Sequence, residues 1–212
     1  MKKLILLPNL LHESSSWTFT PPAIDALICE SEKGGWRFLK RFGLPQVPLY
    51  LLNEQTLKPE KLCDLSHDTI GLISDAGLAC LADPGAAVVA AARSRSILVE
   101  AIPGPCSITL ALQLSGLNGQ TFMFHGYFPR EGIEEKVRTL KPHMAHIFIE
   151  TPYRTAKVFE ILLKVLHPQD RLSIALELMS PDQRVETHAV KEWKGKRAPG
   201  KERGVFVIEK RG

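Results

Sequence analysis

Short runs of leucine and β-branched residues punctuate this chain at 4–7, 48–52, 69–74, 97–102, 121–128, 146–150 and 172–176. Each is bounded by turn residues and has the length of a buried strand. Between them the period changes. From 153 to 166, Ala156, Phe159, Leu163 and Leu166 mark one helical face, Leu162 widens it, and Pro152 stands just ahead. An Ala/Val-rich helix is expected from Asp83-Pro84 to residue 92, with Asp83 as its N-cap. Pro105 precedes a third helix, 106–114, which stops at Gly116. Strands alternating with helices predict an α/β protein whose sheet is mainly parallel and covered on both faces. Near the end, 185–190 and 204–210 read as strands with no helix between them, so antiparallel pairing is expected there. Two α/β lobes follow, residues 1–117 and 118–212, divided at SGLNGQ.

Composition narrows the function classes only a little. The formal charge of +4 is too small to indicate nucleic-acid binding by itself. Its distribution says more. Residues 191–212 hold eight Lys/Arg against three Glu, a local balance of +5, so the rest of the chain sums to about −1. A second basic cluster is Lys33, Arg37, Lys40 and Arg41. Such clusters attract phosphate backbones, although solvated surface charge accounts for either one alone. Cys29, Cys63, Cys80 and Cys106 are far apart, with no CxxC pair, so neither a metal site nor a disulfide framework is expected, and a reducing, cytoplasmic setting fits. Lys2-Lys3 before LILLPNLL has the look of a short signal peptide, but Pro8 breaks the apolar run and no small-x-small site follows, so a first buried strand is expected. No run approaches the ~20 apolar residues that span a bilayer.

In parallel α/β sheets ligands bind where the loops diverge, at the carboxyl ends of the strands. Four such ends stand out: Ser74-Asp75-Ala76-Gly77, Pro103-Gly104-Pro105, Glu150-Thr151-Pro152, and Glu177. Gly77 and Gly85 allow close backbone approach. Asp75 and Asp83 can accept hydrogen bonds, although Asp83 has its capping alternative, and Glu177 can equally be a surface carboxylate. A helix starting near Cys106-Ser107 presents free N–H groups.

The motifs SDAGLACLADPG, IPGPCSITLALQLSGL, FHGYFP and FIETPYR, in this order, resemble the bacterial 16S rRNA ribose-2′-O-methyltransferase family of the tetrapyrrole-methylase superfamily. That family reads SDAGTPLISDPG, PGPCAAITAL, EGFLP and YESTHR at these places. CESEK (29–33) is similar to its AEDTR segment, and ALELMSPDQRVET to its ARELTK…ET stretch. The resemblance implies a tetrapyrrole-methylase-like fold of two α/β lobes with the cofactor cleft between them. It also implies S-adenosyl-L-methionine as cofactor, ribosomal RNA of the small subunit as substrate, and a homodimer. Carried over as cofactor contacts are Ala76, Gly77, Leu78, Leu81, Ala82, Asp83, Cys106, Ser107, Glu150, Thr151 and Glu177.

Methyl transfer is an in-line displacement that depends on positioning the acceptor oxygen, and a ribose hydroxyl profits from a base or a cation beside it. Glu150, Asp75, Glu177 and His125 are the base candidates, His125 having the alternative of a packed strand histidine, and Arg154 is the cation candidate. The chain departs from the family at Ser31 and Lys33 in the acidic segment, at Leu78-Ala79, and in PNLLHES, which lacks the glycine of the family's PTPIGN-like loop. A tetrapyrrole carbon as acceptor, or a non-catalytic paralogue that binds cofactor or RNA, are the competing readings.

Overall fold

The computed structural model describes residues 2–53, 55–56 and 58–211. The chain divides into two compact units, Met1–Cys106 and Ser107–Gly212.

In the first unit five short strands form one parallel sheet: β1 (Lys3–Leu6), β2 (Ala26–Cys29), β3 (Leu49–Leu51), β4 (Thr69–Leu72) and β5 (Leu98–Ala101), in the order β3-β2-β4-β1-β5. Lys2-Lys3 therefore lead into a strand, as expected. β2 escapes the sequence pattern because its four residues, ALIC, run straight into the polar CESEK. All four are buried. Alternation across the sheet splits the apolar residues into two cores. Leu4, Ile28, Ile70 and Leu72 pack with Val88, Ala91 and Ala92 of helix α2 (Ala86–Ser94). Ile5, Leu27 and Cys29 pack with Phe38 and Leu39 of helix α1 (Glu32–Arg41). Both faces are thus covered.

Asp83 is not the N-cap of α2. That helix starts at Ala86 after Gly85, whose φ is +137°, and no side chain caps it. A Cβ on Gly85 would lie 2.5 Å from Cys80 Sγ and 3.2 Å from Leu72 Cδ2. The backbone can make this close turn only at glycine, and the turn separates Asp83 from the helix.

The second unit holds a mixed sheet, β6 (Phe122–Tyr127), β7 (Ala145–Glu150), β8 (Arg171–Leu176), β9 (Arg184–Ala189) and β10 (Gly204–Glu209), in the order β6-β7-β10-β8-β9. Only β6 and β7 are parallel; β10 runs antiparallel to both β7 and β8, and β9 to β8. The antiparallel ending read from the sequence is present. Its main core joins Phe128, Phe148 and Phe206 to Val158, Phe159 and Leu162 of α5 (Thr155–Val165) and to Trp193. A short helix, α4 (Ile133–Arg138), adds Ile133 and Val137. Helix α3 (Ser107–Ser115) packs on β7–β10 and is pinned by Thr187 Oγ1, which reaches Ser115 O at 2.8 Å and Ser173 Oγ at 2.9 Å. The two units therefore divide one helix earlier than SGLNGQ. No helix among the described residues is long and apolar enough to cross a membrane.

Candidate functional site

Because β1, β2, β4 and β5 are parallel, their carboxyl ends share one edge of the first sheet, and side chains there are tied loop to loop. Asn9, following β1, donates through Nδ2 to Ser74 O (2.9 Å) and Asp75 O (3.2 Å), and its N–H donates to Gly77 O (2.8 Å). Glu30, following β2, accepts the Asp75 N–H at 2.9 Å. Ser31 caps α1 by accepting the Gly34 N–H at 3.0 Å, and its hydroxyl donates to Asp75 Oδ1 at 3.3 Å. The backbone after β4 is contorted. Gly77, Cys80, Ala82 and Gly85 all have positive φ, and for Cys80 and Ala82, at +68° each, this is strained. A Cβ on Gly77 would press to 3.1 Å from Leu11 Cδ2.

The electrostatics of this edge are lopsided. Asp83 is half-buried near the strand ends, where the buried Ser74 hydroxyl donates to Ala76 O at 3.0 Å. Burial, then the charge of Glu30 and, less, that of Asp75, push Asp83 up to about 6, against the polar influence of Ser74. Burial likewise raises Glu30, with the Asp75 charge adding to it. Among the described residues no Lys or Arg pairs with Glu30, Asp75 or Asp83. Three carboxylates without a counter-charge favour an incoming cation. Around them Ala76, Leu81 and Ala82 are exposed, Leu78 is half-buried, and Gly77 and Cys106 are buried. Ser107 is the first residue of α3.

In the second unit the expected residues sit at the ends of β6, β7 and β8. Glu150 is buried; its Oε1 accepts the Thr151 N–H at 2.7 Å, while Oε2 has no hydrogen bond and lies 3.4 Å from Arg154 Nη1. Arg154 also donates to Phe128 O (3.2 Å) and Pro129 O (2.7 Å), so it ties the end of β6 to that of β7. Between these groups Tyr153 stands 84% exposed. Glu177, with φ +45°, accepts the Arg203 N–H at 2.7 Å and pairs with its guanidinium at 3.1 Å. That pairing weakens its case as a base.

His125 is a packed strand histidine. Its ring stacks on Phe148 at 4.5 Å, and its Nε2 lies 2.9 Å from His146 Nδ1, whose Nε2 in turn lies 2.8 Å from Lys141 O. A carbonyl only accepts, so His146 Nε2 carries a proton and the neutral ring's Nδ1 accepts from His125. Burial, and after it the charge of Lys136, lower His125 to about 4.

The motifs do not point to Asn9 as an organiser of the first edge. The signal for Asn9 was its place directly after a strand-ending proline. Ser31 and Ala79, which depart from the family pattern, are accommodated: Ser31 caps α1, and Ala79 is buried in the core behind the loop.

No family model matches the chain. It is 32% identical over 163 residues to the ribosomal RNA small subunit methyltransferase I of Vibrio cholerae, covering 74% of this chain and 56% of that protein. To the protein of the same name from Xylella fastidiosa it is 33% identical over 161 residues, covering 72% and 58%. The chain thus spans a little over half the length of these curated relatives. Among solved structures, the uroporphyrin-III C-methyltransferase of Thermus thermophilus superposes with a TM-score of 0.61 at 16% identity, covering 99% of this chain and 95% of that one. A diphthine synthase superposes with a TM-score of 0.66 at 14% identity, covering 99% and 90%. The fold is that of the tetrapyrrole methylases.

Proposed function

Because this chain belongs to the same family as the ribosomal RNA small subunit methyltransferase I proteins, we propose that it transfers a methyl group from S-adenosyl-L-methionine to a ribose 2′-hydroxyl of small-subunit ribosomal RNA. The observation that carries the cofactor half of this reading is the trio Glu30, Asp75 and Asp83, which pairs with no Lys or Arg among the described residues. The cofactor supplies an electrophilic methyl on a positively charged sulfur.

On this reading the carboxylates hold the cationic end of the cofactor, with Asp83 the contact most relieved by it. Ala76, Gly77, Leu78, Leu81 and Ala82 offer backbone and apolar contacts on the loop after β4, and Cys106-Ser107 adds the start of α3. Glu150, Thr151 and Glu177 of the second unit are carried over as cofactor contacts from the family resemblance alone; Glu150 Oε2 makes no hydrogen bond, whereas Glu177 is held by Arg203. Asp75 is the base we favour. Its side chain is exposed, and only its Oδ1 is engaged, by the Ser31 hydroxyl. Arg154 holds the strand ends and steadies Glu150, so its role is positioning as well as charge.

The tetrapyrrole-carbon alternative rests on fold alone, and one fold hosts many chemistries. The cytoplasm and a homodimer are proposed from the family resemblance, and the homodimer is read by light scattering. The deciding experiment incubates the purified chain with methyl-labelled S-adenosylmethionine and small subunits from cells lacking the gene, followed by nucleoside mass spectrometry. A 2′-O-methylated nucleoside is expected. Cofactor binding with no methyl in RNA retains only a binding protein, and absence of both ends the proposal.

A further inference from the structure

We infer that the exposed face of α1, formed by Lys33, Trp36, Arg37 and Lys40, is a docking track for single-stranded RNA that starts at the carboxylate edge, with Trp36 stacking on a base. This rests on the RNA-methylation reading and adds a recognition surface to it.

The spacing 33, 36, 37, 40 places these four side chains within about 100° of one helical face. The opposite face carries Gly35, Phe38 and Leu39, all buried against the sheet. The helix is therefore anchored without help from Trp36, which is 44% exposed. No ring contact to Trp36 occurs among the described residues, whereas Trp17 stacks with Phe19 at 5.3 Å and Trp193 packs edge-on to Phe159 at 5.1 Å. A single exposed ring is ordinary by itself; what singles out Trp36 is that its free face lies among the cations of the same helix face.

Charge says which occupant. Lys33, Arg37, Lys40 and the flanking Arg41 are all exposed, and Glu32, at the first turn, is the only acidic residue in the helix. Arg37 pairs with Glu13, but both side chains are more than half exposed, so a phosphate can displace that carboxylate at little loss. Cations flanking one exposed aromatic match a phosphate backbone carrying stackable bases. A docked protein or an inserted membrane helix would need a broader apolar row than this single ring.

Place connects the track to the chemistry. The cap of α1 is Ser31, whose hydroxyl is 3.3 Å from Asp75 Oδ1. At 1.5 Å per residue the face runs from that point to about 7 Å at Trp36 and about 13 Å at Lys40. A strand lying along it would present its leading ribose to the site.

The test uses the full chain, a fluorescein-labelled single-stranded RNA 20-mer and small ribosomal subunits. Trp36→Ala should weaken RNA binding about tenfold and Trp36→Phe much less. Lys33→Glu with Lys40→Glu should reduce the salt slope of log K by roughly 1.4, as two lost phosphate contacts require. In methyl transfer these variants should raise KM for RNA and leave kcat and calorimetric cofactor affinity unchanged; Trp36→Gln serves if the alanine variant folds poorly. Unchanged RNA affinity and salt slope in a wild-type chain that methylates RNA would remove the track and leave the enzyme reading standing. No RNA binding by the wild-type chain removes both. Binding that survives ribonuclease, or that moves to phosphatidylserine vesicles and is lost in the same variants, also overturns the track.

Discussion

Glu30 Oε1 accepts the backbone N–H of Asp75 at 2.9 Å, joining the ends of β2 and β4 by a charged acceptor. The bond holds Asp75 where Ser31 can also reach it, at the price of crowding two carboxylates. Replacing Glu30 separates the two effects. Glu30→Ala should destabilise the chain by about 1 kcal/mol through loss of this bond, since water can reach the freed N–H, and loosen the loop after β4. Glu30→Gln keeps an acceptor and removes the charge, so denaturant stability should hold while affinity for S-adenosylmethionine falls. Affinity for the uncharged thioether product should change little. Equal losses for both ligands by calorimetry would mean that charge is not what this edge contributes.

Asp83 gives a pH signature. Its carboxyl is raised from 3.8 to about 6 in the fold, so the folded state holds a proton that the unfolded chain releases. Its contribution to stability is complete below about 4 and is lost as pH rises through about 6. A bound cation reverses the preference by favouring the ionised carboxylate. Cofactor affinity should therefore climb with pH across 5–7, with proton release visible as a buffer-dependent heat. Asp83→Asn should flatten both curves, and a climb that persists in it would place the titrating group elsewhere.

Much of this edge could be read in advance, and the part that could not has a physical reason. Nine of the ten strands among the described residues are marked in the sequence, eight of them as apolar runs, and β2 is lost because its four buried residues abut a charged segment. Motif order located the loop after β4 and the ends of β7 and β8. Asp83 reads as a cap because Asp-Pro before an Ala/Val run is the local pattern of a capped helix. The competing term, a glycine turn forced by Cys80 and Leu72, is tertiary and leaves no local mark. Asn9 acts through bonds to backbone carbonyls of Ser74 and Asp75, far along the chain, which no spacing rule encodes.

The pair His125 and His146 should set an acid limit to stability. Burial lowers both, His125 to about 4, so on acidification the unfolded chain takes up protons that the fold refuses. Stability from this source is intact above about 6.5 and drains as pH falls to about 4. His125→Phe keeps the stack on Phe148 and removes the titrating group. Thermal melts of that variant should lose less between pH 6.5 and 4.5 than wild type, and an identical acid limb would exclude His125 as its cause.

Phe148 is fully buried between the rings of His125 (4.5 Å) and Phe128 (4.0 Å). Phe148→Ala should cost about 3–5 kcal/mol, and Phe148→Leu distinctly less. Urea unfolding monitored by circular dichroism measures both. A cost below about 1 kcal/mol for the alanine variant would show that the stack is not a structural centre of the second unit.

Gly104 and Pro8 follow the adjacent strands β5 and β1, and a Cβ on Gly104 would overlap Pro8 Cβ and Cγ. A proline ring cannot swing aside as a long side chain can, so the strand-end loops themselves would have to part. Gly104→Ala should destabilise by roughly 3 kcal/mol and weaken cofactor binding as well, since Asn9, the next residue after Pro8, anchors Ser74, Asp75 and Gly77. Pro8→Gly removes the obstructing atoms. Combined with Gly104→Ala it should restore part of the loss, giving a favourable coupling of about 1 kcal/mol or more in a double-mutant cycle. Additive losses would show that the alanine acts through backbone conformation at Gly104 instead of through its contact with Pro8.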